Sequence, residues 1–138
     1  MKINLILYLM KKIKTFSQEN LNGEIYKYKE NENHYILKAN YVGNLPAEIH
    51  FWASNPPDTH VICNKFIVPF PNAKIAYENT PNFKKINLEG SRNFEVDFMY
   101  PNSYYENSGT IFIPPHLHFK FYTTEGNEKV IKNSILKL

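Results

Sequence analysis

Pro114-Pro115-His116-Leu117-His118-Phe119-Lys120-Phe121-Tyr122 alternates without a break once its two prolines are passed. Leu117, Phe119 and Phe121 fall on one side. His116, His118, Lys120 and Tyr122 fall on the other. Period two is the mark of a strand with one buried face and one outer face. The same period recurs along the chain. Tyr35, Leu37, Ala39 and Tyr41 share a face, as do Ala47, Ile49, Phe51 and Ala53, and later Phe94, Val96, Phe98 and Tyr100. Turn signals separate these runs, among them Val42-Gly43-Asn44, Asn55-Pro56-Pro57-Asp58, Glu89-Gly90-Ser91 and Glu125-Gly126-Asn127. Short strands at regular spacing predict an all-β chain, an antiparallel β-sandwich of about seven to nine short strands with little helix. Only residues 2–15 and the tail, 128–137, read as helix candidates.

The 138 residues are the size of one domain, and no linker, repeat or low-complexity stretch divides them. We take residues 21–138 as a single sandwich domain and residues 1–20 as an N-terminal arm or an extra strand or helix. Aromatics at 15% suit strands. The apolar run Ile3 to Met10 is shorter than the roughly 20 residues that span a bilayer, so no transmembrane segment is expected. Lys11, Lys12 and Lys14 follow it with no small-residue cleavage site, which favours structure over a signal peptide. The single cysteine, Cys63, allows no intrachain disulfide, so the expected setting is a reducing, cytoplasmic one, or a virion. Of 16 basic residues only Arg92 is an arginine. Bidentate guanidinium contacts dominate base reading, so sequence-specific nucleic-acid binding is not expected.

Chemistry concentrates in His116 and His118. Two histidines at i and i+2 on one strand present their imidazoles side by side, as two ligands of one transition metal require. The alternative is a pair of half-buried surface histidines. His60 and Cys63 have an H-x-x-C spacing but no second pair to complete a zinc site, and a core cysteine is the simpler reading. His50 and His34 read as hydrogen-bonded or solvated histidines.

The segment Asn93-Phe94-Glu95-Val96-Asp97-Phe98-Met99-Tyr100-Pro101-Asn102-Ser103-Tyr104, followed by Pro114-Pro115-His116-Leu117-His118-Phe119, resembles the C-terminal signature of intradiol ring-cleavage dioxygenases. Phe51-Trp52-Ala53-Ser54-Asn55 is similar to that family's strand ending W-x-A-[DN], and the resemblance covers roughly residues 45–122. It implies a β-sandwich holding non-haem Fe(III), or another transition metal, through Tyr104, His116 and His118. It also implies a small phenolic ligand. A phenolate is a hard donor suited to the ferric state, and a second phenolate would act as the base for the ligand's proton. Two positions depart from the pattern. The first ligand tyrosine has no counterpart at the expected distance from Trp52, leaving His60 or Tyr77 to fill its place by other geometry. The arginine ahead of the histidine pair is Ile113. The expectation is therefore a metal-binding sandwich in which ring cleavage itself is the least supported element. Beside it stands a non-catalytic structural or interaction module, docking on a protein partner or on further copies of itself. The Lys, Asn, Ile and Tyr load fits an AT-rich genome, and a large-DNA-virus protein is the setting we expect for such a module.

Overall fold

The computed structural model describes residues 10–29, 33–57 and 67–138. Ten strands and one short helix follow in chain order. They are β1 (Lys11–Ser17), β2 (Leu21–Lys27), β3 (Tyr35–Tyr41), β4 (Glu48–Ala53), α1 (Ala73–Tyr77), β5 (Phe83–Asn87), β6 (Asn93–Phe98), β7 (Tyr104–Glu106), β8 (Ile111–Ile113), β9 (His116–Glu125) and β10 (Glu128–Lys137). The chain is all-β. One sheet runs β1-β2-β3-β6, a second β10-β9-β4-β5, and β7 and β8 form a small hairpin of their own.

The two larger sheets pack through the apolar faces that the alternation marks. Leu37, Ile49, Phe51, Leu117, Phe119 and Phe121 are fully buried. Rings from opposite sheets meet: Tyr41 against Phe121 at 4.9 Å and Phe51 against Phe98 at 6.0 Å between centroids. Truncating one such buried phenylalanine costs about 3–5 kcal/mol, through lost transfer energy and the cavity left behind.

The described strands are ten, more than the seven to nine expected: both ends of the chain add strands, and β5, β7 and β8 fall outside the alternating runs. Lys11–Ser17 joins the first sheet as its edge strand. Residues 1–9 lie outside the described residues. The tail is the clearest correction: residues 128–137, a helix candidate, form β10. Ile131 and Ile135 at i and i+4 imitate a helical stripe, yet both are about half exposed. Gly126, at φ 63°, opens a two-residue hairpin loop that pairs Glu128 with Glu125 and sets the register onward to Lys137 opposite His116. The ladder to β9 overrides the weak helical pattern.

Candidate functional site

Leu117, Phe119 and Phe121 point into the core, so His116 and His118 point outward from the second sheet. Two segments close over them. β7 starts at Tyr104, which is 5% exposed. Helix α1 ends at Tyr77, and its first turn is capped by the Asn72 side chain, which accepts the Ile75 amide proton at 2.9 Å.

The hydroxyl oxygen of Tyr77 lies 3.2 Å from that of Tyr104, 3.1 Å from Nε2 of His116 and 3.1 Å from Nε2 of His118. The two Nε2 atoms are 2.9 Å apart. Four potential ligand atoms thus converge from three separate segments. Donors held about 2.0–2.1 Å from one ion, at angles of about 90–110°, sit about 2.9–3.4 Å from each other. The observed spacings fall within that range.

A backbone carbonyl sets the tautomer of His116. His116 Nδ1 is 2.8 Å from the Pro114 carbonyl oxygen, which can only accept, so Nδ1 carries the proton. In the neutral ring Nε2 is then a bare lone pair aimed into the cluster. The Tyr77 hydroxyl has one proton for three neighbours. The Tyr104 hydroxyl brings a second, and His118 Nε2 a third in one of its two tautomers. Burial raises the Tyr77 phenol well above its ordinary range, with its hydrogen bond to Tyr104 adding to the effect. Burial also raises Tyr104; its hydrogen bond with Tyr77 works against this, and the Glu106 charge adds to it. Burial, then the neighbouring His116, lowers His118 to about 4. Without a cation all three groups are held neutral.

The two imidazoles are fixed by different means. His116 is held by its bond to Pro114. The His118 ring stacks on Trp52, 4.9 Å between centroids and 3° from parallel, and Lys120 lies 6.0 Å above the Trp52 ring. Three asparagines fasten the segments that bring the tyrosines. Asn55 donates from Nδ2 to the carbonyls of Ala76 and Glu78, at 3.0 and 2.9 Å, and so pins the end of α1. Asn82 donates to the Ser54 and Met99 carbonyls and accepts the Met99 amide proton. Asn102 donates to the Val68 carbonyl, while its own carbonyl accepts the Ser54 hydroxyl at 2.6 Å.

Of the residues singled out in the sequence, Tyr104, His116 and His118 come together, and Tyr77 joins them as the fourth. His60, with Cys63, lies outside the described residues. His50 sits elsewhere on the sheet, 3.2 Å from the Glu48 carboxylate and against Tyr122. His34 lies 3.6 Å from Asp97. Among the described residues no group of three or more His, Cys, Asp or Glu side chains gathers as a metal site. The convergent set is two imidazoles and two phenols. The asparagine clamps carried no pattern in the sequence. Asn72 ahead of Ala73-Lys74-Ile75-Ala76-Tyr77 did, as the cap of a short helix that ends on Tyr77.

A 380 Å³ cleft opens on the donors, with Tyr104, His116 and His118 in its wall. A larger hollow of 750 Å³, beside Gly23 and Lys38, lies on the other sheet and gathers no comparable set. Comparison with known proteins returns no match, either to a family model, to a curated protein or to a solved structure.

Proposed function

We propose that Tyr77, Tyr104, His116 and His118 hold one transition-metal ion, Fe(III) by preference, and that the cleft beside it receives a small phenolic ligand. The observation that carries this reading is the Tyr77 oxygen, within 3.2 Å of each of the other three donor atoms. The donor set supports a hard, oxidised ion: two phenolates offset its charge and two imidazoles suit iron. The resemblance of the Tyr104 and His116-Leu117-His118 segments to intradiol ring-cleavage dioxygenases supports the same choice, and Tyr77 supplies the tyrosine that the sequence pattern lacked.

When bound, ferric iron would supply the Lewis acidity that draws a catechol into its anionic form. The protein's own part is to place and to discharge. The bond to Pro114 holds His116 with its lone pair inward. Trp52 fixes the plane of the His118 ring. The raised phenols of Tyr77 and Tyr104 must release their protons as the cation arrives, and a phenolate so formed is a base within reach of an incoming hydroxyl. Ring cleavage is the furthest extension of this reading. Ile113 lines the cleft where the resembled family carries an arginine, so substrate charge has to be met by other residues.

The test is metal loading. Purified protein offered Fe(III) should bind one equivalent by elemental analysis and show the visible charge-transfer colour of tyrosinate bound to iron. His116→Ala should lose both. A colourless, metal-free protein after loading sinks the proposal. The second reading, an interaction module, draws on Phe83, Phe112, Ile131 and Ile135, all about half exposed. A concentration-independent monomer in sedimentation would count against self-association as its form.

A further inference from the structure

The cleft over the donor atoms has a charge pattern of its own. Ile113, Pro114 and Ile135 supply apolar walls. Glu106 and Lys137 supply one charge of each sign, and both are exposed. Among the described residues neither is in an ion pair, with the other or with anything else.

Strand geometry fixes where these charges stand. Glu106 follows Tyr104 by two residues on β7, so the two side chains share a face with their backbones about 6–7 Å apart. Lys137 on β10 is the register partner of His116 on β9, and Ile135 is the partner of His118. Each sits on the outer face with its histidine. Glu106 and Lys137 thus bring one charge of each sign to the same cleft that opens on the donor set.

Resting on the metal reading above, we propose that the ligand of this cleft is a zwitterionic phenol: an α-amino acid, or a close derivative, with a catechol ring. The ring hydroxyls meet the metal and the ring lies between Ile113, Pro114 and Ile135. The carboxylate pairs with Lys137 and the ammonium with Glu106. A neutral catechol leaves both charges unused. An aromatic acid uses Lys137 but faces the Glu106 carboxylate, and an aromatic amine has the converse conflict. Only a ligand with both charges satisfies both residues.

The experiment uses the iron-loaded full chain, held anaerobically, with metal content measured first. Catechol, dihydroxyphenylpropionate, dopamine and dihydroxyphenylalanine are titrated in turn, with binding read from the shift in visible absorption. Rim ion pairs are weak, each worth up to about fivefold in affinity, so dihydroxyphenylalanine should bind about tenfold more tightly than catechol. Lys137→Ala should weaken the two carboxylate ligands and spare dopamine. Glu106→Gln should weaken the two amines and spare dihydroxyphenylpropionate. Both side chains are exposed, so the fold should tolerate either change. Catechol within about twofold of dihydroxyphenylalanine, or variants that weaken all four ligands alike, overturns the proposal while the metal reading stands. A chain that takes up no iron overturns both.

Discussion

Replacing Asn82 by alanine tests whether the site depends on the clamps behind it. Asn82 is 1% exposed and makes three side-chain hydrogen bonds. Nδ2 donates to the Ser54 carbonyl at 2.9 Å and to the Met99 carbonyl at 2.8 Å, and Oδ1 accepts the Met99 amide at 2.9 Å. These join the end of β4 to the end of β6, next to the Thr80 turn that leads back to Tyr77. Each bond contributes about 1 kcal/mol net, and a buried partner left unsatisfied adds about 1–3 kcal/mol. Water entering the gap would recover part of that, so Asn82→Ala should destabilise the protein by about 3–5 kcal/mol. In urea, with a slope of about 1–3 kcal/mol per molar, the midpoint should fall by about 2 M. Asn82→Asp keeps the acceptor for Met99 but sets a carboxylate against two carbonyls, and should be no better. Iron affinity, measured below the unfolding transition, should fall as well, because the Tyr77 segment loses its anchor. A loss of stability under about 1 kcal/mol, with iron affinity unchanged, would refute the idea that this side chain ties the Tyr77 loop to the sandwich.

Three further outcomes follow. Tyr77→Phe keeps the ring and removes the one oxygen that touches all three other donors; iron affinity should drop at least about 10–100-fold, the scale of losing a supporting group, and the metal-free protein should lose about 1–3 kcal/mol in urea as those hydrogen bonds go. Equal affinity in the variant would remove Tyr77 from the ligand set. In metal-free protein the His118 ring, held at about 4 by burial and by His116, protonates near pH 6.5 once the chain unfolds. Its contribution to stability is complete above about 6.5 and is lost as pH falls from there towards 4, so His118→Gln should flatten that stretch of the stability curve. An unchanged slope would show that His118 is not the group responsible. Gly23→Ala puts a methyl group well inside contact distance of the Lys38 carbonyl oxygen, and 3.0 Å from the Ala39 Cα, in the middle of the first sheet. Backbone cannot step aside as a side chain can, so the cost should exceed about 2 kcal/mol by thermal or urea unfolding, and a neutral substitution would show that β2 and β3 separate more easily than their pairing suggests.

The buried faces were legible in the sequence because period two is local: a strand's inward side chains can be named from six or seven residues. The His116 and His118 pair was legible for the same reason. Tyr77 was harder, because its place depends on a helix of five residues, too short for a periodic pattern, and on contacts to residues 27 to 41 positions away. The asparagine clamps were invisible, since an asparagine beside a proline or a turn reads as loop chemistry whether or not it reaches across the fold. The tail misled for the opposite reason. Ile131 and Ile135 have helical spacing, and only the hairpin at Gly126 decides that they are outward residues of a strand.

β9 binds the two halves of the molecule into one unit of inheritance. The side chains of His116 and His118 and those of Leu117, Phe119 and Phe121 are set by the same parity of the same strand. A deletion or insertion of one residue just before Phe119 would put imidazoles and phenylalanines on the same side, so that either the phenylalanines face solvent or the imidazoles enter the core. The donor pair therefore cannot drift along the strand by small steps. Lineages that keep the sandwich keep the geometry of these two positions, and can alter the chemistry there only by substituting the histidines themselves.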